Sequence, residues 1–301
     1  MGQFASRYQR LSVQDAGFLY LEHAGLPQHV AILAVVEGGP LHDQDGRLRL
    51  AAVREQFDRR LHLAPRLRQL VVCPPLGQGL PLWADDPAFD LANHVRAVQV
   101  AAPGDERELL ALCDQLCLRL LDRTRPLWEL WLITGLAQGR VGLVLKLHHA
   151  LADGLAAVQI AGALLLDATP DATSPQPPPW RPRPAPPGWV LVADNLRGRA
   201  AALAAALARL RHPGTLPAQA RMLAGAWRMV GDGRRPPRRS PLRQPLGGRR
   251  RLVLVRARLA VVKQIAHAHH GTVNDVLLAA VAGGLRALLL ARGVLVEGLT
   301  L

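Results

Sequence analysis

A chain of 301 residues is long enough for one large or two medium domains with substantial cores. Half of it is hydrophobic but only 4% is aromatic, so those cores must be built from Ala, Leu and Val, and each Trp or Phe stands out. The formal charge of +14 comes from 35 Arg and 2 Lys against 23 acidic residues; it suits anionic headgroups or a phosphate-bearing cofactor, and without zinc-finger spacing or an aromatic-interleaved basic stripe it argues against nucleic acid.

Residues Met1 to Arg10 contain no apolar signal core. Ser12 followed by Asp15 reads as a cap for a short helix over Val13 to Glu22. His29 to Glu37 is a nearly continuous apolar run closed by Gly38-Gly39-Pro40, the pattern of a well-covered strand. Leu48 to Leu61 places Val53, Phe57 and Leu61 four apart and predicts an amphipathic helix. Strands are expected at Leu67 to Val72, Leu80 to Trp83 and Val95 to Val100. Between the last two, Asp85, Asp86 and Asp90 read as a polar loop without a metal-ligand motif, and His94 reads as structural. Asp105 to Leu121 carries a stripe of Leu109, Leu112, Leu116 and Leu120 and predicts a helix.

Cys113 and Cys117 lie on that helix without a His or acidic partner at ligand spacing, so they read as packing residues and no metal site is expected. With Cys73 they suit a reducing compartment better than a disulfide framework. No uninterrupted apolar run reaches the roughly 18 residues of a membrane span, so a cytoplasmic protein is expected, with peripheral contact to a membrane surface as its nearest variant.

Chemistry concentrates in the stretch Val141 to Gly154. Leu127 to Ile133 and Val141 to Leu147 predict a hairpin, with Trp128 and Trp131 facing opposite sides. Period-two alternation puts Val141, Leu143, Leu145, Leu147 and His149 on one face and Gly142, Val144, Lys146 and His148 on the other, so the two imidazoles should diverge. Asp153 and Gly154 then open a helix over Leu155 to Leu166. Alone, Asp153 is equally a helix cap and Gly154 equally a turn residue. Their combination with two histidines at a strand-to-helix junction is what points to a site.

From Pro170 to Pro187 nine of eighteen residues are proline, which predicts a stiff extended linker. Residues 1–168 are accordingly read as a first domain, 169–188 as the linker and 189–301 as a helical, Arg-rich connection leading into a second domain. Trp189 to Arg211 predicts an Ala-rich helix, Arg234 to Arg251 a solvated loop with eight arginines, Leu252 to Leu259 a strand and Val261 to His269 a helix. Thr272, Asn274 and Asp275 precede an apolar helix over Val276 to Ala291, where capping is their simplest role.

Several separated stretches together resemble the bacterial wax ester synthase/acyl-CoA:diacylglycerol acyltransferase family. They are Leu11-Ser-Val-Gln-Asp-Ala-Gly-Phe-Leu-Tyr-Leu-Glu22, Phe89-Asp-Leu-Ala-Asn-His-Val-Arg96, Arg125-Pro-Leu-Trp-Glu129, His148-His-Ala-Leu-Ala-Asp-Gly154 and Thr272-Val-Asn-Asp275, in the family's order. The resemblance implies an α/β (α+β) chloramphenicol-acetyltransferase-like fold, with a complete first half and the start of a similar second half. It implies transfer of a long-chain acyl group from acyl-CoA, a substrate rather than a tightly bound cofactor, to diacylglycerol or a fatty alcohol. His149 would be the general base, His148 and Gly154 would complete the motif, and Asp153 would be its structural acid. Trp128, Asn274 and Asp275 would shape the site or bind substrate. The family's further motif, Asn-x-Pro-Gly-Pro, does not occur in these 301 residues, which implies a chain truncated toward its C-terminus. A catalytically impaired homologue that binds lipid, a membrane or a lipid-droplet surface is the alternative.

Overall fold

A computed structural model describes residues 9–77, 79–152, 154–166, 180–183, 185–210, 247, 250–294 and 296. In chain order these form α1 (Val13–Leu21), β1 (His29–Glu37), α2 (Leu50–Arg60), β2 (Gln69–Val72), β3 (Leu82–Asp85), β4 (Val95–Gln99), α3 (Glu106–Leu118), β5 (Trp128–Thr134), β6 (Arg140–His148), α4 (Gly154–Ala161), α5 (Gly188–Leu210), α6 (Leu259–Ala268) and α7 (Val273–Ala291). Short 3-10 turns join several of them, and α4 runs on as a π-helical turn, Gly162–Leu166.

The described residues divide into two units, the first reaching to Ala204 and the second carrying α6 and α7. In the first, a four-stranded sheet has the order β1-β6-β5-β4. The predicted hairpin pairs β5 with β6 antiparallel, β1 pairs antiparallel with the other edge of β6, and β4 lies parallel to β5. A separate antiparallel pair joins β2 and β3.

Burial on both faces explains why β6 reads as a continuous apolar run. One face packs Trp128, Leu130, Val141, Leu145 and Leu147 with Phe57 and Leu61 from α2 and its following turn and with Ala157 of α4. The opposite face packs Trp131, Ile133 and Val144 against Leu109, Cys113 and Leu116 of α3. The two tryptophans therefore do face opposite sides. At Gly142 a Cβ would stand 3.2 Å from Ile133 Cβ and 3.3 Å from a Leu109 methyl, so a side chain there would press into α3. Lys146 is fully buried on that face and donates to the Leu116 carbonyl at 2.9 Å and to the Arg119 carbonyl. It satisfies the orphan carbonyls at the C-terminus of α3, the position where a cation is best placed.

Among the described residues one expected strand is absent, and α5 packs on the first unit. The first unit continues past residue 168, because Leu191 of α5 is buried against Leu82 and Ala84 of β3. Leu252 to Leu259 does not form a strand: its residues lie outside any regular element until Leu259 opens α6, and every one of them is exposed. A strand needs a neighbouring strand for its backbone groups, and among the described residues no strand pairs with this stretch. Most of the predicted linker and most of the Arg-rich stretch lie outside the described residues.

In the second unit, α6 ends in a Schellman turn. His270 adopts the left-handed conformation (φ 53°), Gly271 N–H donates to the Ala266 carbonyl at 2.8 Å, and His270 N–H donates to that of His267 at 3.2 Å. Helix α7 then starts from Thr272. At 19 residues, with a mean hydropathy of 1.7, it is long and apolar enough to cross a membrane by those measures alone, although Asn274, Asp275 and Arg286 interrupt its apolar run.

Candidate active site

The paired histidines sit at the end of β6, and the structure gives them opposite environments. His148 is the last residue of the strand and is fully buried. His149 follows it, is half-buried, and stacks on Phe18 of α1 with ring centroids 4.3 Å apart. The predicted divergence is present, but β6 stops at His148, so His149 belongs to the turn rather than to the apolar face of the strand. Of the His149 nitrogens, Nδ1 is enclosed without a hydrogen-bond partner among the described residues.

His148 faces a carboxylate that the sequence reading passed over. The side chain of Glu22, the C-terminal cap of α1, is enclosed, with one oxygen 2.9 Å from His29 Nε2 and 3.4 Å from His148 Nε2. The same oxygen accepts the Gln28 N–H at 3.2 Å, while Arg123 donates to the other at 3.0 Å. Burial alone would raise the Glu22 pKa, but the Arg123 and Gln28 hydrogen bonds and the two imidazoles outweigh it and hold the carboxyl below its ordinary value. For both imidazoles burial prevails. Burial pushes His29 and His148 down to about 4, against the pull of Glu22, so both are neutral at physiological pH.

His29 heads β1 and pairs in register with His148, a juxtaposition created by strand pairing between residues 119 positions apart. From the sequence, Glu22 reads as a helix end and the last residue of a matching stretch. A carboxylate on an apolar helix end just before a strand was the available signal, but its partners come from non-adjacent elements.

Trp128 lies beneath this end of the sheet. It pairs with Leu147, is fully buried, and donates from Nε1 to the Leu67 carbonyl at 2.7 Å. Its ring is stacked by His94 at 4.7 Å, whose Nδ1 proton goes to the Trp128 carbonyl at 2.8 Å. Trp128 thus supports the site from the core. His94 is structural, as predicted. Gly154 opens α4, and a Cβ there would meet open space. Asp153 lies outside the described residues.

Asn274 and Asp275 belong to the other unit. The Asp275 carboxylate accepts from Thr272 N–H at 2.7 Å and Thr272 Oγ1 at 2.8 Å, and Asp275 N–H returns to Thr272 Oγ1 at 3.3 Å. This is a complete capping box between Thr272 and Asp275. Asn274 is exposed on the first turn of α7. Among the described residues no group of three or more His, Cys, Asp or Glu is arranged to hold a metal ion.

A mixed sheet covered by helices, with a sealed and a half-buried histidine at one strand end, makes the first unit an α/β fold. The family model of the wax ester synthase/diacylglycerol acyltransferase catalytic domain matches residues 11–277, and the chain belongs to that family. Among its relatives are "Putative diacyglycerol O-acyltransferase Rv3087" of Mycobacterium tuberculosis, 36% identical over 92% of this chain, and "Probable diacyglycerol O-acyltransferase tgs1" of the same organism, 33% identical over 94%. The chain spans only 58% of the length of each. Its fold is shared with the solved wax ester synthase/diacylglycerol acyltransferase of Marinobacter aquaeolei VT8, at 28% identity and a TM-score of 0.59, over 95% of this chain and 62% of that one.

Proposed function

We propose that the chain carries the histidine site of an acyl-CoA:alcohol O-acyltransferase, with diacylglycerol or a long-chain alcohol as acceptor and His149 as general base. The observation that carries the assignment is the asymmetry of the pair: His148 is sealed in the Glu22 cluster, and only His149 is open enough to meet a substrate. Family membership supplies the substrate classes.

The reaction needs one base and no acyl-enzyme. A neutral imidazole removes the acceptor's hydroxyl proton as its oxygen bonds to the thioester carbonyl carbon. When the tetrahedral adduct collapses, the C–S bond breaks and the imidazolium returns the proton to the departing thiolate. An unprotonated Nε2 requires the proton on Nδ1, the enclosed nitrogen of His149. The cysteine usage supports a reducing, cytoplasmic setting: Cys113 is buried with its pKa raised to about 11 by desolvation, as suits packing rather than reactivity.

The test is direct. Protein incubated with a long-chain acyl-CoA and diacylglycerol or a fatty alcohol should release ester and free thiol in equal amounts, and His149→Ala should abolish both. Equal turnover by that variant would remove His149 as base.

A second reading, lipid binding without turnover, is favoured by one observation. On α7 the side chains of Leu277, Leu278 and Val281 are 55%, 59% and 61% exposed. It predicts that vesicles are bound without ester formation, and it loses support if Leu278→Ser and Val281→Ser leave vesicle binding unchanged.

A further inference from the structure

We infer that Glu22 is a positioning residue for His149, holding the backbone on both sides of it through two separate links, a charge contact with the His148 ring and a hydrogen bond from the Gln28 backbone. This inference rests on the reading of His149 as the base. Glu22 touches neither His149 nor the place a substrate would occupy, so its action must pass through other groups.

The first link runs through His148. The Ala150 N–H donates to His148 Nδ1 at 2.9 Å, so this nitrogen is an acceptor and the proton of the neutral ring resides on Nε2. That Nε2 faces the Glu22 carboxylate at 3.4 Å, where the negative charge favours the Nε2–H tautomer. The other tautomer would set an N–H against the Ala150 N–H and open the turn immediately after His149.

The second link runs through Gln28. The His149 N–H donates to the Gln28 carbonyl at 2.8 Å, and the Gln28 N–H donates to Glu22 at 3.2 Å. One enclosed carboxylate thereby ties together the end of α1, the approach to β1 and the end of β6. The first of these elements also carries Phe18, on which the His149 ring stacks. Arg123 supplies the compensating charge at 3.0 Å and donates as well to the Leu19 carbonyl at 2.6 Å, locking the carboxylate to the last turn of α1. A buried charge with this many partners is expensive to misplace, so the three element ends hold one arrangement.

The experiment replaces Glu22 with Gln, which keeps the shape and removes the charge, and reads two signals on the full chain. Imidazole 15N shifts in protein labelled at histidine should report wild-type His148 protonated on Nε2; Glu22→Gln should introduce the Nδ1–H tautomer and shift the His149 signals. With acyl-CoA and a long-chain alcohol, kcat should fall at least about tenfold, since small misplacements of a base are costly, while KM stays within about twofold. Glu22→Asp, which keeps the carboxylate, should restore the tautomer and part of kcat. Should Glu22→Gln fail to fold, Arg123→Gln should produce both changes in weaker form.

Unchanged His148 and His149 signals in a folded variant would overturn the inference, as would a rise in KM alone. If wild-type protein shows no turnover, the acyl-transfer reading fails, and the 15N measurement still decides whether Glu22 sets the tautomer and the His149 environment.

Discussion

The sheet unit and the α6–α7 helix pair use the same Ala- and Leu-rich composition in opposite ways. In the sheet, β6 buries every residue from Val144 to His148, including a lysine and a histidine, whereas Leu289 is the only buried residue of α7. Two buried polar groups of the sheet are hydrogen-bonded, Lys146 to the end of α3 and His94 to Trp128, while His148 and His29 face the Glu22 carboxylate at 3.4 and 2.9 Å. The helix pair relies on local devices instead, a Schellman turn and a capping box. Chemistry follows the first pattern, because a base can be aimed only by surroundings that have no freedom to rearrange.

The adjacent histidines give the largest test of this contrast. His149→Ala is expected to lower acyl transfer by about 10²- to 10⁴-fold, the usual contribution of a general base, with little change in the thermal midpoint. His148→Ala should instead lower the midpoint as well, by several degrees, because it leaves a cavity and removes a partner from Glu22 inside the core. Turnover and melting curves on the same preparations check both. Two identical profiles would erase the distinction between them.

The core beneath the site should be next in size. Trp128→Ala is expected to cost about 3–5 kcal/mol, the range for losing a buried aromatic, and Trp128→Phe should recover most of the packing but not the bond to the Leu67 carbonyl. Leu277→Ala on α7 should cost below about 0.5 kcal/mol, since that side chain is already largely exposed. Denaturant unfolding measures all three. A cost at Leu277 comparable to that at Trp128 would show that the helix pair is covered in solution.

How much of this could be read in advance depended on the range of the interaction. The Ser12 cap and the alternation of β6 are properties of neighbouring residues, and these two elements appear within a residue of their predicted limits, while α3 stops at Leu118, three residues before the predicted Leu121. The predicted strand at Leu252 had the right composition but pairs with no other strand among the described residues, which no local pattern reveals. Trp128 was legible as important, and the sheet turns it into the core toward Phe57 and His94, contacts no local pattern reveals. Glu22 and His29 escaped entirely as a pair. Only the register of β1 on β6 brings them to His148.

Acid should reveal the same cluster through stability. The folded-state pKa of His29 and of His148 is about 4, below the ordinary 6.5, so the unfolded chain takes up these protons first. Their contribution is complete above about pH 6.5 and is lost progressively as the pH falls toward 4. Glu22, held below its ordinary 4.5, acts in the same direction at still lower pH. The unfolding free energy should therefore decline between pH 6.5 and 4, and His29→Gln, with one titrating group removed, should decline less steeply. Equal slopes would mean that His29 is not held neutral by burial.

The smallest effect is expected at Asp275, where a matching family motif and a capping box occupy the same residues. As a cap, Asp275 returns its carboxylate to the Thr272 backbone and hydroxyl, and Asp275→Ala should cost about 1 kcal/mol, read as faster amide exchange confined to the first turn of α7. Thr272→Ala should cost a similar amount, because each residue satisfies a backbone donor for the other. A purely substrate-binding role predicts the reverse: lost turnover with first-turn exchange unchanged. Measuring exchange and turnover on both variants separates the roles, since Thr272 belongs to the cap and lies outside the expected site residues.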